Sequence, residues 1–467
     1  MADMQHDVVI IGSGPGGYVA AIRAGQLGLN ACVVEKDPFL GGTCLQRGCI
    51  PTKALLHTAD LLQHAREGGR YGVRCSEVTL DLAAAHEHKR RTVTKSSKGV
   101  EFLFRKNKVT WVQGTGRVLK PGLVEVSKAD GARAMIECKH IVLATGSRCG
   151  ELPDIIPDGD RILNSDHLLE LQEVPSRLAV LGAGAVGMEF ASIFARFGSQ
   201  VTVIELLERV LPIEDADVSA EVARSFRKQG ITVHTGTRVG EVKVEGQVVR
   251  IKGTNPKGET IEVEADRLLV AVGRVAVLKG IGLENTTVQI ERGRIVVDEF
   301  CRTHQPGIYA IGDLIATPWL AHVASMEGVI AVEHIAGLSP RPIDLRRVPS
   351  CTYCYPEVGS IGLTAEQARE MGADVKVGTF PFSAIAKSTI LGESLGFVKI
   401  VADGKYDEIL GVHIVGPHAT ELLGEAEAAL AGELTVEELV HTIHAHPTLQ
   451  EAIHEAAEAV HGAAIHI

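Results

Sequence analysis

The chain has no excess of positive charge. Its 47 lysines and arginines stand against 58 aspartates and glutamates, for a net charge of −11. A surface of that sign repels nucleic acid and anionic membranes, so neither is expected as a partner. No apolar run is long enough to span a bilayer. The opening segment, Met1 to Asp7, is polar and lacks the basic start and apolar stretch of a secretory signal, which points to a cytoplasmic protein. Nine cysteines, an odd number in 467 residues, do not make a disulfide framework, so a close pair calls for a catalytic reading first. No segment is of low complexity, and with 45% apolar and 22% charged residues the composition is not that of a disordered chain. The length suggests about three domains.

Glycine is abundant, with fifty residues, which signals turns and close approaches to ligands. Asp7-Val8-Val9-Ile10-Ile11 reads as a short buried parallel strand. Gly12, Gly14 and Gly17 follow at G-x-G-x-x-G spacing, then a helical stretch from Tyr18 to Leu27, then Ala31-Cys32-Val33-Val34 ending in Glu35. The pattern returns far downstream. Leu178-Ala179-Val180-Leu181 leads into Gly182, Gly184 and Gly187, a helical stretch from Met188 to Phe197, and Val201-Thr202-Val203-Ile204 ending in Glu205. From first glycine to carboxylate is 23 positions in both copies, 12 to 35 and 182 to 205. In such a unit the first glycine permits the tight turn, the second lets the backbone approach a pyrophosphate, and the third lets helix and strand pack closely. The helix N-terminus then faces the anion, and the carboxylate accepts from ribose hydroxyls.

Each copy has a closing strand, Ile141–Thr145 before Gly146 and Leu268–Val272 before Gly273. A third short strand, Ile308 to Ile311, ends in Gly312 and Asp313, and a carboxylate at that end of a parallel strand sits where ligands bind. Linkers are expected at Gly150 to Pro157 and at Pro340-Arg341-Pro342. Beyond them strands (Glu357–Leu363, Gly396–Ala402, Leu410–Val415) alternate with helices (Ala365–Met371, Ala419–Gly432, Val436–His444, Leu449–His461), which predicts an α+β domain.

Two residue clusters carry chemistry. Cys44 and Cys49 are four residues apart in Gly41-Gly42-Thr43-Cys44-Leu45-Gln46-Arg47-Gly48-Cys49, close enough for a turn of helix or tight loop to join them. So short a loop stabilises little as a staple. A redox pair, activated by a helix N-terminus and by Arg47, competes with two reduced buried thiols. At the other end, His441, His444 and His446 precede Pro447-Thr448-Leu449-Gln450-Glu451. A metal site, a solvated histidine-rich helix end, and a catalytic His446 oriented by Glu451 are all compatible with that spacing.

The segment Gly41 to Lys53 resembles the redox-active disulfide segment of the flavoprotein disulfide reductases, and the resemblance runs from the first glycine turn to His446-Pro447-Thr448-Leu449. It implies an α/β fold of two Rossmann-like dinucleotide-binding domains with a C-terminal α+β dimerisation domain. The expected divisions are 1–147 (FAD), 148–276 (NAD), 277–345 (return to the FAD domain) and 346–467 (interface). The resemblance implies FAD on the first turn, with Gly12, Gly14, Gly17, Glu35, Gly42, Thr43, Lys53, Gly116, Thr145, Gly146, Asp313, Ala321 and His322. It implies NAD on the second, with Gly182, Gly184, Gly187, Glu205, Val239 and Gly273. Cys44 corresponds to the interchange thiol, Cys49 to the thiol at the flavin, His446 to the base, Glu451 to its partner, and Lys53 with Glu189 to an ion pair beside the flavin. His446 is expected to serve the disulfide of the other subunit of a homodimer. Within this group a dihydrolipoamide-oxidising, NAD-linked enzyme of a 2-oxo acid dehydrogenase complex is expected, with the lipoyl domain and acyltransferase core as partners. Glu205 favours NAD over NADP, with Arg209 as a weak counterweight. A mercuric reductase would carry an N-terminal metal domain or C-terminal cysteines, and the chain ends without cysteine. A docking subunit without turnover is the alternative of another class. Arg47 stands where the family usually has an apolar residue, and Cys351-Thr352-Tyr353-Cys354 is a C-x-x-C that the family does not normally carry; it is expected to be two reduced thiols.

Overall fold

Uninterrupted apolar runs build two parallel sheets. Val8, Val9 and Ile10 are fully buried, as a strand covered on both faces must be. In the computed structural model, which describes residues 4–467, the strand Met4–Ile11 lies between Ala31–Glu35 and Arg133–Leu143. Thr110–Gln113 and Ile308–Ala310 complete the parallel part on either side. Residues 1–3 of the polar opening segment lie outside the described residues. Arg133–Leu143 is long enough to serve two further partners on its other edge. Its second half carries Ile308–Ala310, and its first half pairs antiparallel with Leu123–Ser127, itself paired with Thr115–Lys120.

The second sheet repeats the plan. Arg177–Leu181 lies between Gln200–Ile204 and Arg267–Val270, with Thr232–His234 and Ile162–Leu163 outside them. An antiparallel meander of Arg238–Glu245, Val248–Thr254 and Thr260–Ala265 is inserted before the closing strand. The C-terminal sheet is wholly antiparallel, in the order Ser350–Thr352, Glu357–Gly362, Ile409–Gly416, Phe397–Asp403, Val375–Pro381. Helices Ala419–Ala431 and Glu451–Val460 bury Leu422, Leu423, Ala426, Ala452, Ile453 and Ala456 in its core.

The chain divides into two compact units. One comprises the residues up to Ala54, Ala83–Gly150 and Arg274–Leu345, and contains the first parallel sheet. The other comprises Leu55–Leu82, Glu151–Gly273 and Arg346–Ile467, and contains the second parallel sheet, the meander and the antiparallel sheet. Among the described residues no helix is long and apolar enough to cross a membrane.

Candidate active site

The first glycine turn is built by contact. Gly12 has φ 110°, and a Cβ on Gly17 would lie 2.0 Å from the Gly12 carbonyl oxygen, so strand and helix close directly on one another. Gly14 is the opposite case. A Cβ there would meet nothing, and Gly14 caps the helix Pro15–Gln26. An open backbone surface under a helix N-terminus is a cradle for a pyrophosphate. Glu35 is 6% exposed. Its Oε2 accepts from Ser13 N at 2.8 Å and Ser13 Oγ at 2.7 Å, and its Oε1 from Asp37 N at 2.9 Å. Ser13, which the sequence reading passed over, also takes the Gly41 amide on its Oγ at 3.1 Å. Its place between the first two glycines was the available signal.

The other first-set residues gather in the same unit. Gly116 is tight, since a Cβ there would lie 3.0 Å from Ile11 and Val34 side-chain atoms. Thr145 Oγ1 donates to the Val277 carbonyl at 2.9 Å, and Gly146, with φ 66°, borders open space. Asp313 follows the strand Ile308–Ala310 in a short turn and accepts from Ser147 Oγ. Arg274 Nε in turn donates to Ser147 Oγ at 2.7 Å, a relay that no motif announced. Ala321 and His322 open the helix Ala321–Ile335, whose N-terminus is a second anion-facing end. From that helix the buried Glu327 accepts from Gly312 N at 2.7 Å and Thr317 Oγ1 at 2.6 Å. Burial pushes its carboxyl up to about 7, against those two hydrogen bonds. Two helix ends, an open glycine surface and carboxylates at strand ends fit a flavin dinucleotide.

The cysteine pair is mounted directly on this turn. Gly42 has φ 57°, and a Cβ there would lie 2.6 Å from Gly14 Cα, so the helix Gly42–Arg47 starts hard against the glycine surface. Thr43 and Cys44 lie in that helix; Cys49 begins the next, Cys49–Glu67, after a break at Gly48. The pair therefore spans a helix–helix junction rather than one helical turn. The two thiols are within hydrogen-bond reach. Hydrogen bonding to Cys49 and then burial push the Cys44 thiol up, while the Lys53 charge opposes them. Arg47, near in sequence, is not the activating cation. Arg47 instead pairs with Asp37, and Lys53 is the cation that acts on Cys44. Cys49 is the first residue of its helix.

The second turn repeats the first. Gly182 has φ 106°, a Cβ on Gly187 would lie 1.9 Å from the Gly182 oxygen, and Gly184 again faces open space. Glu205 is 8% exposed, its Oε2 accepting from Ala183 N at 2.6 Å and its Oε1 from Leu207 N at 2.8 Å. Arg209 donates to the Pro212 carbonyl at 3.2 Å. Gly273, with φ 108°, borders open space, and Val239 sits at a bulge in the meander. Glu189, in the helix Ala185–Phe197, accepts from Tyr353 N at 3.0 Å. Lys53 belongs to the first unit and Glu189 to the second. The buried Cys354 donates to the Pro356 oxygen at 3.2 Å, and burial pushes Cys351 up to about 11. Burial pushes the Cys354 thiol up as well, so neither is activated as a thiolate.

His446 faces Glu451 through Nδ1 at 2.8 Å. Glu451 Oε2 accepts from Thr448 N at 3.0 Å. Burial raises the Glu451 carboxyl, but the His446 ring and the Thr448 amide outweigh it and hold the group below its ordinary value. The peptide before Pro447 is cis. His441 lies 3.6 Å from Glu437, and His461 lies 2.8 Å from Asp407. His466 lies 2.6 Å from Glu455, and His454 lies 3.9 Å from Glu458. Each histidine has its own carboxylate. No group of three or more potential metal ligands converges among the described residues.

Comparisons with known proteins agree with this chemistry. Residues 6–328 match the family model for pyridine nucleotide-disulphide oxidoreductases, and residues 348–457 match that family's dimerisation domain. A dihydrolipoyl dehydrogenase of Bacillus subtilis is 46% identical over 99% of both chains. Dihydrolipoyl dehydrogenase 3 of Pseudomonas aeruginosa is 44% identical over 99% of both. The mitochondrial dihydrolipoyl dehydrogenase of Pisum sativum is 42% identical over 99% of this chain and 93% of its own. Among solved structures, LpdA from Mycobacterium tuberculosis superposes with a TM-score of 0.89 at 30% identity, covering 97% of this chain and 99% of the other.

Proposed function

The chain belongs to the pyridine nucleotide-disulphide oxidoreductases, and from that premise we propose that it is a dihydrolipoyl dehydrogenase, oxidising protein-bound dihydrolipoamide to lipoamide with NAD⁺. The observation that carries this reading is the Cys44–Cys49 pair seated on the open glycine turn at Gly14. We assign residues 1–147 and 277–345 to FAD, 148–276 to NAD and 346–467 to a homodimer interface. Gly12, Gly14, Gly17, Glu35, Gly42, Thr43, Lys53, Gly116, Thr145, Gly146, Asp313, Ala321 and His322 hold the flavin. Gly182, Gly184, Gly187, Glu205, Val239 and Gly273 hold the nicotinamide nucleotide.

Bound FAD supplies the two-electron relay between the protein dithiol and NAD⁺. The protein's own residues do the rest. Glu451 holds the His446 Nδ1 proton, so Nε2 is the nitrogen that takes a proton from a substrate thiol. We assign His446 to the disulfide of the partner subunit. The resulting thiolate attacks Cys44 Sγ; the Cys44–Cys49 bond breaks and Cys49 leaves as a thiolate. The second substrate thiol attacks the substrate sulfur of the mixed disulfide and the bond to Cys44 breaks; His446 protonates the departing Cys44 sulfur and takes the second thiol's proton, so lipoamide leaves with Cys44 a thiol, Cys49 a thiolate and one proton on His446. Lys53 stabilises the negative charge that this leaves beside the pair. Glu205 accepts from ribose hydroxyls and repels a 2′-phosphate, which selects NAD over NADP. We place the enzyme in the cytoplasm, bound to the acyltransferase core of a 2-oxo acid dehydrogenase complex and acting on its lipoyl domains.

The test is anaerobic NAD⁺ reduction by dihydrolipoamide with the purified flavoprotein. Rapid NADH formation is expected, and Cys49→Ser should abolish it. Turnover that survives Cys49→Ser, or an NADH-reducible flavin with no dihydrolipoamide turnover, overturns the reading.

A further inference from the structure

We propose that His444 is a positioning residue of the catalytic base, a doubly protonated imidazole that fastens residues 442–449 to the helix Ala419–Ala431 and so fixes where His446 stands. The inference rests on the reading of His446 as the base given above. The two histidines are two residues apart and differ in every respect that matters to protonation. The His444 side chain is 8% exposed and that of His446 is 72% exposed. His444 Nδ1 faces the Thr442 carbonyl oxygen at 2.9 Å, and its Nε2 faces Glu425 Oε1 at 2.6 Å. A carbonyl and an ionised carboxylate only accept, so the form of the ring that satisfies both contacts is an imidazolium donating from each nitrogen. His446 has Nδ1 on Glu451 and no partner for Nε2 among the described residues. One ring is held as a cation; the other keeps a lone pair for a thiol proton.

The surroundings fit a single cation. The groups that face His444 are Glu425 from the helix Ala419–Ala431 and His454 from the helix Glu451–Val460, with ring centroids 5.4 Å apart. His454 lies 3.9 Å from Glu458, and its Nδ1 is buried without a partner. The segment is thus tied at both ends. His444 holds it to Glu425, and the Thr448 amide holds it to Glu451 at 3.0 Å. Cutting the first tie frees the backbone two residues from the base, and a small displacement of a proton acceptor is costly to catalysis.

His444→Gln, Glu425→Gln and the double variant, each as the full-length flavoprotein, test this through the pH profile of kcat for dihydrolipoamide oxidation. Each single change should lower kcat about tenfold and move the limb of the profile that reports the base. The double variant should be no worse than the singles, because both cut the same tie. Uniform loss at every pH, losses that multiply in the double variant, or an unchanged kcat overturns the proposal. Nitrogen NMR of histidine-labelled wild-type protein is independent of turnover and of how the variants fold. Two protonated ring nitrogens on one buried histidine at neutral pH are expected, and a neutral ring at His444 overturns the proposal. Should the wild type show that cation yet fail to oxidise dihydrolipoamide, the assigned activity falls and the protonated tie stands.

Discussion

The two glycine turns share one spacing from first glycine to carboxylate, yet position 16 of the first and position 186 of the second are opposites. Gly16 is buried, and a Cβ on it would lie 2.9 Å from the Ala324 carbonyl oxygen. The contact is mutual, because a Cβ on Gly328 would lie 2.5 Å from the Gly16 oxygen. The helix Ala321–Ile335 therefore lies across the first turn backbone to backbone. Val186, the matching residue of the second turn, is 40% exposed and meets no such cover. Leu206 and Leu207, just after Glu205, are also more than half exposed. Both turns are open at their second glycine, Gly14 and Gly184, but two residues on the first is roofed at Gly16 and the second is uncovered at Val186. A roofed turn suits a resident group, and an open one suits a group that arrives and leaves with every turnover.

That contrast can be broken most decisively at position 16. Gly16→Val should cost about 3 kcal/mol or more by overpacking against main-chain atoms, visible as lost flavin absorbance and a lower Tm. The reciprocal change Val186→Gly should cost only about 1 kcal/mol, with flavin content intact. Equal losses would erase the distinction. The next effect belongs to the roof itself. Burial raises Glu327 to about 7 from an ordinary 4.5, so between those values the native protein holds a proton that the unfolded chain releases. Its contribution to stability is full below the ordinary value and is lost as pH rises through about 7. The size is about 3 kcal/mol at most, and Glu327→Gln should flatten that part of a Tm-against-pH series. A parallel series for wild type and variant refutes it. Smaller still is Glu205→Gln in the open turn, expected to raise the KM for NAD⁺ about tenfold and to leave flavin content alone. Glu35→Gln, in the roofed turn, should instead weaken flavin retention at unchanged KM for NAD⁺. Arg209→Ala should move the preference for NAD over NADP less than twofold, since Arg209 is turned to the Pro212 carbonyl.

The repeat of strand, glycine turn, helix and carboxylate was legible because each glycine answers a local steric demand that periodicity and spacing expose. So was the His446–Glu451 pair, whose two members are only five residues apart. The roof was not, because Gly16 and Gly328 meet across 312 positions and a glycine says nothing about what lies over it. Ser147 and Arg274 reach Asp313 through side chains that follow no spacing rule. The meander Arg238–Ala265 and the edge strand Val375–Pro381 were passed over, although Val248–Thr254 alternates buried and exposed residues as a half-covered strand should. The upward push on Cys44 is hidden from the sequence for a related reason. Arg47 is near in sequence, but Asp37 claims it, and burial with a second thiol sets the balance.

The junction of Gly42 with Gly14 has a bearing on how such a chain tolerates drift. The spacing between the redox pair and the dinucleotide cradle is written in main-chain atoms at 2.6 Å from a would-be Cβ, so no side chain sets it. Neighbouring side chains are then free to vary over generations while the working geometry persists. Mutational robustness here is bought with two residues that have nothing to mutate but their absence of a side chain.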